Sequence, residues 1–167
     1  MCLSAIIWAN IKEVYYGTNA SAAGVAAHEV GHAIQHAENY FPMWLRSFLV
    51  PVANIGSNLG PWLVIIGIML MAAYSQTLGQ NVAILGVILF GFATLFTLVT
   101  VPVEFDASAR AKKTLARLSI LRPGREYNTV SGVLLAAGLT YVAAAITALL
   151  QLLYWAHKAG LLGRRDD

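Results

Sequence analysis

Charged residues are scarce in this 167-residue chain, and their scarcity argues against a soluble domain. Asp, Glu, Lys and Arg make up 11% of the residues, whereas a soluble globular domain contains about 25%. Apolar residues make up 58%, and the mean hydropathy is +0.65. The net charge of +3 does not indicate a nucleic-acid-binding protein, because membrane topology explains the grouping of the basic residues better. The composition therefore predicts a membrane protein, and nucleic acid is not expected as a partner.

Cysteine is almost missing as well. Cys2 is the single cysteine of the sequence, which excludes an intrachain disulfide and a cysteine-rich metal site. The sequence holds four histidines and eight acidic residues. We therefore look for a metal site among the imidazole and carboxylate side chains.

A short motif, HEVGH at residues 28–32, is the clearest sign of chemistry. It places His28 and His32 four residues apart, and such positions lie on the same face of a helix. Two imidazoles in that arrangement can bind one tetrahedral metal ion, usually zinc. Glu29 lies beside them and can take a proton from a metal-bound water, which is the general-base role in peptide hydrolysis. The neighbouring residues are uncharged, which favours a packed zinc helix over a chance match.

A third histidine of this segment, His36, is not expected to bind the same ion. On an unbroken helix it lies about 12 Å along the axis from His28, at about 1.5 Å per residue. Two ligands of one zinc lie within about 4 Å of each other. We therefore expect His36 at the rim of the site or behind the ligands.

A catalytic zinc needs a third protein ligand and one open position for water. No carboxylate occurs between Glu38 and Glu104, so few candidates exist at the membrane face of the two histidines. Glu104 and Asp106 follow directly after a long apolar stretch. They lie on different faces of a helix, so we expect only one of them to bind. Glu104 is favoured because it adjoins the apolar residues, and Asp106 suits a solvated helix start.

Three stretches without any charged residue predict membrane-spanning helices: residues 59–74, 82–103 and 130–156. A spanning helix needs about 20 apolar residues, so the first stretch is expected to extend over 55–76. The short loop 75–81 predicts a helical hairpin. The preceding stretch 40–55 contains Arg46 and Pro51, and we expect an interfacial or partly buried helix there.

Basic residues predict the orientation in the membrane. Six of them lie in the segment 104–129: Arg110, Lys112, Lys113, Arg117, Arg122 and Arg125. The loop 75–81 has none, so the positive-inside rule places the basic segment in the cytoplasm. The hairpin then returns the zinc helix to the same side. Three basic and two acidic residues in the C-terminal tail oppose this assignment only weakly.

Five segments carry a resemblance to a known family: VYYG at 14–17, GVAAHEVGHAIQHA at 24–37, LVPVANIGSN at 49–58, PVEFDAS at 102–108 and LTYVAAA at 139–145. In this order they resemble the YugP-like family of neutral zinc metallopeptidases, which is bacterial and membrane-bound. The resemblance implies that His28 and His32 bind zinc and that Glu29 is the catalytic glutamate. It also strengthens the choice of Glu104. Family members usually carry a further N-terminal membrane helix and a soluble stretch before the zinc helix. This chain departs from that pattern at its start, so we expect that region to be missing here.

These inferences together predict an all-α polytopic membrane protein with a zincin-like HExxH helix and about three transmembrane helices. The chain is expected to form a single domain over 1–167. Its parts are the zinc helix with the interfacial segment (14–58), the transmembrane hairpin (59–103), a cytoplasmic basic helix (104–129) and the third transmembrane helix (130–156).

The leading hypothesis for function is a membrane-bound zinc-dependent endopeptidase with one Zn²⁺ per chain and Glu29 as general base. We expect it to be a multi-pass protein of the bacterial inner membrane, with its site on the cytoplasmic side and with proteins or peptides, including membrane proteins, as substrates. The alternative is a non-catalytic zinc-binding membrane scaffold or quality-control adaptor, which a fourth protein ligand such as His36 or Asp106 would favour. The intact Glu29 argues against that alternative.

The residue that stabilises the oxyanion stays open at this point. Such a residue must donate a hydrogen bond to the developing charge on the carbonyl oxygen. The candidates are Tyr15, Tyr16, Tyr40, Tyr127 and Arg110.

Overall fold

Four α-helices form the part of the chain that the structure describes, and no strand occurs in it. The structure is a computed structural model, and it describes residues 17, 19–122 and 124–162. The helices are α1 (Ala20–Ala37), α2 (Phe41–Ala73), α3 (Gln76–Arg117) and α4 (Arg125–Lys158). The predicted all-α fold is confirmed.

Three of these helices, α2, α3 and α4, are long and apolar enough to cross a membrane. They contain 33, 42 and 34 residues. At about 1.5 Å per residue even the shortest is about 50 Å long, whereas the hydrocarbon core is about 30 Å thick. The prediction of about three transmembrane helices is confirmed, and each helix is long enough to extend beyond the bilayer.

The structure differs from the predicted segments at the stretch 40–55. No separate interfacial helix is present, because residues 41–55 form the first part of α2, which continues through Pro51 and Pro61. A proline inside a helix removes one backbone hydrogen bond and can bend the helix. Membrane helices tolerate this loss because neighbouring groups satisfy the freed carbonyl.

The basic segment 104–129 is divided between two helices. α3 passes through Pro102 and ends at Arg117, beyond which the backbone of Ser119 is left-handed, with φ of 52°. Two backbone hydrogen bonds of 3.1 Å close this end in the Schellman pattern. α4 begins only at Arg125. The helix end is therefore set by backbone geometry beyond Arg117 rather than by the change from apolar to basic residues.

Capping residues bound α1 at both ends. The extended Asn19 accepts a hydrogen bond of 2.8 Å from the amide of Ala22 through its side chain. At the other end Asn39 is left-handed, with φ of 52°, and the amides of Asn39 and Tyr40 donate to carbonyls of the last turn. Local sequence thus defines the length of the helix that carries the HEVGH motif.

The described residues belong to two compact units. The first contains the described residues up to Met43 together with Pro102–Tyr141, and the second contains Trp44–Val101 together with the described residues from 142 onward. In the first unit, α1, α3 and α4 share an apolar core of Ala27, Ala111, Leu115, Leu121, Val130 and Leu134.

Small residues allow α2 and α3 to pack closely in the second unit. A Cβ built on Gly56 would collide with the carbonyl oxygen of Leu89, and one built on Gly60 would lie 2.9 Å from the carbonyl oxygen of Gly86. Gly56 and Gly60 are four residues apart, which is the small-xxx-small spacing of tightly packed membrane helices. This contact holds the two helices of the predicted hairpin together.

The contact of α1 with α3 depends on Gly31 in the same way. A Cβ built there would collide with the carbonyl oxygen of Ala107 and would lie 3.0 Å from its carbonyl carbon. Backbone cannot move aside as a flexible side chain can. We therefore expect Gly31→Ala to lower the free energy of unfolding by about 1–3 kcal/mol, even though alanine is the better helix former.

Gly132→Ala is the matched control for this prediction, since a Cβ at this position in α4 meets nothing within 4 Å. We expect it to be neutral or stabilising, and thermal unfolding in detergent measures both variants. Equal melting temperatures for the two variants would contradict the close contact at Gly31.

Candidate metal centre

The three side chains predicted as metal ligands lie together in the first unit. One ligand atom from each of His28, His32 and Glu104 lies within 4.8 Å of the other two. Nε2 of His28 is 3.1 Å, and Nε2 of His32 is 3.6 Å, from Oε2 of Glu104. α1 supplies both histidines from one face, and α3 supplies the carboxylate from 76 residues beyond His28.

These separations fit a tetrahedral metal ion. With bonds of about 2.0–2.2 Å, neighbouring ligand atoms of a tetrahedral zinc lie about 3.3 Å apart. The two separations of 3.1 and 3.6 Å lie on either side of this value. The imidazole planes of His28 and His32 are 85° apart, with ring centroids at 4.7 Å. Two imidazoles and one carboxylate also form a donor set that catalytic zinc sites use, so the residues present fit the ion.

Burial of Glu104 makes its ionised form costly without a positive partner. Only 3% of this residue is exposed, and it follows directly after the apolar stretch 82–103. An ionised carboxylate in such a place costs several kcal/mol unless it is paired. The imidazoles of His28 and His32, each 16% exposed, lie against it. A cation held among these three side chains would compensate the buried charge.

The second nitrogen of each imidazole has its own hydrogen-bond partner. Nδ1 of His32 lies 2.9 Å from Oε1 of Gln35, and Nδ1 of His28 lies 3.2 Å from Oγ of Ser108. An imidazole that donates from Nδ1 keeps its lone pair on Nε2, the atom that faces Glu104. Both rings are therefore held with the nitrogen that can bind a metal directed to the same point.

Sequence reasoning missed Gln35 and Ser108 as residues of the site. Gln35 stands three residues after His32 on α1, and Ser108 stands four residues after Glu104 on α3. Residues at these spacings lie on the same helix face. A search for polar residues three or four positions from each predicted ligand would have included both as candidates, without showing which atoms they contact.

The two alternative ligands are placed differently. His36 is exposed. Asp106 accepts hydrogen bonds from Nε2 of Gln35 at 2.8 Å and from Nε of Arg110 at 2.6 Å. Among the residues described, neither belongs to the group of three. Asp106 also does not begin a helix, as the sequence suggested, because α3 continues through it.

The contacts of the candidate oxyanion donors shorten the list of those residues. Tyr15 and Tyr16 lie outside the described residues. The guanidinium carbon of Arg110 lies 5.6 Å from the ring centroid of Tyr40, within the range of a cation–π interaction. Arg110 also forms ion pairs with acidic side chains of both α1's end and α3. These contacts favour a role for Arg110 and Tyr40 in joining the helices, and the exposed Tyr127 stays a candidate.

Glu29 is exposed and lies next to His28 on α1. Consecutive helix positions are about 100° apart, so Glu29 stands beside the ligand face rather than on it. Its exposure leaves the carboxylate accessible to water and to a substrate.

A cavity of about 440 Å³ adjoins the outer part of the site. Its lining comes from α1, the residue that follows it and α3: Ile34, Glu38, Asp106, Ala109, Arg110, Lys113, Thr114 and Arg117. The three candidate ligands are not part of this lining. Water can therefore reach Asp106 and Arg110, whereas Gln35 is fully buried.

Comparison with known proteins identifies the family of this chain. Residues 10–159 match the family model described as "Putative neutral zinc metallopeptidase". The chain is 47% identical over 142 residues to the "Putative membrane protease YugP" of Bacillus subtilis (strain 168). The alignment covers 85% of this chain and 60% of that protein, and no solved structure matches. The chain belongs to this family of neutral zinc metallopeptidases, which confirms the resemblance seen in its motifs.

Membership supports zinc and peptide hydrolysis at the level of the family. The name of the relative, together with the three apolar helices, supports a location in the membrane. The chain spans about 60% of the length of this relative. An activity of the whole relative therefore comes to this chain only as a proposal.

Zinc content tests the three candidate ligands. We expect about one zinc per chain in detergent-purified protein, because three protein ligands hold a single ion. Removal of a ligand by His28→Ala should abolish binding, and Glu104→Ala should weaken it. The control His36→Ala removes a histidine of the same helix and should retain zinc. Elemental analysis after dialysis gives the stoichiometry, and equal zinc loss in His36→Ala and His28→Ala would contradict this ligand set.

Proposed function

We propose that this chain is a zinc-dependent endopeptidase that cleaves protein or peptide substrates at the membrane. The observation that carries the proposal is the convergence of Nε2 of His28 and Nε2 of His32 on the carboxylate of Glu104. Three protein ligands leave the fourth position of a tetrahedral zinc for water or substrate. Membership in the family and the relative named as a membrane protease support the same activity.

His28, His32 and Glu104 hold the ion in this proposal. When bound, zinc supplies Lewis-acid polarisation of the scissile carbonyl and lowers the pKa of the attacking water. Glu29 accepts the proton that this water loses as its oxygen adds to the carbonyl carbon. The same carboxyl group then gives the proton to the departing nitrogen, so that the C–N bond breaks with release of a neutral amine. The exposed position of Glu29 is compatible with both transfers.

We place the site on the cytoplasmic side of a bacterial inner membrane. Glu104 comes directly after the apolar stretch 82–103 of α3, and six basic residues follow before the next apolar stretch. Positive charge of this density flanking a span indicates the cytoplasmic face. A site at the end of a span suits substrates that are themselves membrane proteins or that lie at the bilayer surface.

A structural zinc in a non-catalytic scaffold or adaptor has less support. A structural site closes the coordination sphere with a fourth protein ligand. In the described part of the chain, neither His36 nor Asp106 joins the group of three. Asp106 is instead hydrogen-bonded to Gln35 and Arg110. A structural site would also have no use for the carboxylate of Glu29.

Glu29→Gln separates the catalytic role from metal binding. The amide cannot accept the proton of water, and no ligand is lost, so we expect cleavage to fall by at least about 100-fold while zinc content stays unchanged. Cleavage of a panel of peptides and membrane proteins in proteoliposomes, followed by mass spectrometry, measures the loss.

Glu126→Gln is the control, since Glu126 belongs to the same unit but accepts a hydrogen bond from the backbone of Arg122. It should retain activity. Cleavage at the wild-type rate by Glu29→Gln would exclude Glu29 as the general base.

Labelling of single cysteines tests the orientation. With Cys2→Ser as background, Thr77→Cys places a thiol at the exposed start of α3, and Ala116→Cys places one at its exposed end. By the positive-inside rule, we expect a membrane-impermeant maleimide to label position 77 in spheroplasts and to label position 116 only after permeabilisation. The reverse pattern would place the site outside the cytoplasm.

A further inference from the structure

Gln35 is a buried amide whose two polar atoms both have partners. None of its surface is exposed. Its Nε2 donates hydrogen bonds to the carbonyl oxygen of Val103 and to Oδ2 of Asp106, each at 2.8 Å. Its Oε1 lies 2.9 Å from Nδ1 of His32. Gln35 thus connects a candidate metal ligand on α1 with the backbone and a carboxylate of α3.

These partners determine the orientation of the amide. A carbonyl oxygen and an ionised carboxylate can only accept, so the amide nitrogen of Gln35 must face Val103 and Asp106. Its oxygen then faces His32 and can likewise only accept. The proton of a neutral His32 must therefore be on Nδ1, which leaves the lone pair on Nε2, 3.6 Å from Oε2 of Glu104.

We propose that Gln35 is a positioning residue that fixes the tautomer and the ring orientation of His32 for zinc binding, and that Asp106 acts on His32 through Gln35. The inference rests on the proposed function, because it explains how one ligand of that metal site is prepared. Gln35 itself touches neither the metal nor a substrate in this assignment.

The outer part of the network holds Asp106 in place. Nε of Arg110 donates to Oδ2 of Asp106 at 2.6 Å, and Nη1 donates to Oε2 of Glu38 at 2.5 Å. These three charged side chains line the 440 Å³ cavity, whereas Gln35 is buried. The group in contact with His32 is therefore the neutral amide of Gln35, which is itself held by Asp106. This arrangement orients the imidazole without burying a second carboxylate beside Glu104.

The other ligand histidine is held less specifically. Nδ1 of His28 faces Oγ of Ser108 at 3.2 Å. A hydroxyl group can rotate and can either donate or accept, so this contact permits both tautomers of His28. The amide of Gln35, whose nitrogen is already committed to two acceptors, permits only one tautomer of neutral His32. We therefore expect loss of the Gln35 amide to weaken metal binding more than loss of the Ser108 hydroxyl.

The dissociation constant for zinc in the full detergent-purified chain tests the proposal. Gln35→Met keeps a similar volume but removes the hydrogen bonds, and we expect it to raise the constant about 10–100-fold. Competition with a chromophoric chelator measures it, without any assay of activity. The stoichiometry should stay the same, since all three ligands remain.

Thr94→Val is the matched control, because Thr94 is 1% exposed and its hydroxyl hydrogen-bonds within the second unit. It also removes buried hydrogen bonds, so it should lower the melting temperature. Its hydroxyl is hydrogen-bonded to the backbone of Phe90 and Ala148 rather than to the Gln35 network, so its zinc constant should stay within about twofold of the wild type.

A double variant separates positioning from general packing. Gln35→Met/Asp106→Ala should bind zinc no more weakly than Gln35→Met, because Asp106 acts through the amide. Should Gln35→Met fail to fold, Asp106→Ala at the cavity still tests the connection, and it should weaken zinc binding although Asp106 contacts no ligand.

An unchanged zinc constant in Gln35→Met, in a protein whose zinc depends on His28, would overturn this inference and leave the proposed function intact. An unchanged constant in Asp106→Ala would overturn the role of Asp106. Failure of the wild type to bind any zinc would overturn the metal site and the inference together.

Discussion

A buried carboxylate at the end of the apolar stretch of α3 is the constraint on which the site depends. Glu104 is 3% exposed and follows an uncharged stretch of α3, where desolvation of its charge is costly. The imidazole nitrogens of His28 and His32 lie 3.1 and 3.6 Å from its oxygen. A shared divalent ion would compensate the charge more fully than hydrogen bonds to neutral imidazoles, because it supplies a full positive charge at the same point. The burial of Glu104 thus favours a cation at the point where the two imidazoles meet it.

The position of α1 along α3 follows from its buried face. Ala27, Gly31 and Gln35 are four residues apart and are all buried, so they lie in a row on the helix. Gly31 lets the backbone reach Ala107, and Gln35 is hydrogen-bonded to Val103 and Asp106. His28 and His32 each follow one member of this row and lie about 100° further round the helix. They are therefore only partly exposed, with Nδ1 directed to Ser108 or Gln35 and Nε2 directed to Glu104.

The sequence points to the three candidate ligands more directly than to the residues that are hydrogen-bonded to them. The spacing of His28 and His32 is local, and Glu104 follows from the scarcity of carboxylates, so both could be found without a structure. Gln35 and Ser108 are neutral residues, and their roles depend on which turn of α1 meets which turn of α3. No pattern within one helix fixes that pairing. The observed helix boundaries differ from the predicted ones for another reason. The predictions follow changes of composition at 40–55 and at 104–129, whereas the helical backbone of α2 continues through Pro51 and that of α3 continues through Pro102.

Metal binding and attachment of α1 are coupled in this arrangement. α1 has 18 residues and, unlike the other three described helices, is not a candidate membrane span. It is held on the first unit by the apolar core, by the contact at Gly31 and by the hydrogen bonds of Gln35. An ion shared by α1 and α3 binds only when the two helices are packed, so it stabilises the packed state by mass action. The three candidate ligands are therefore brought together by the same contacts that keep α1 packed against α3.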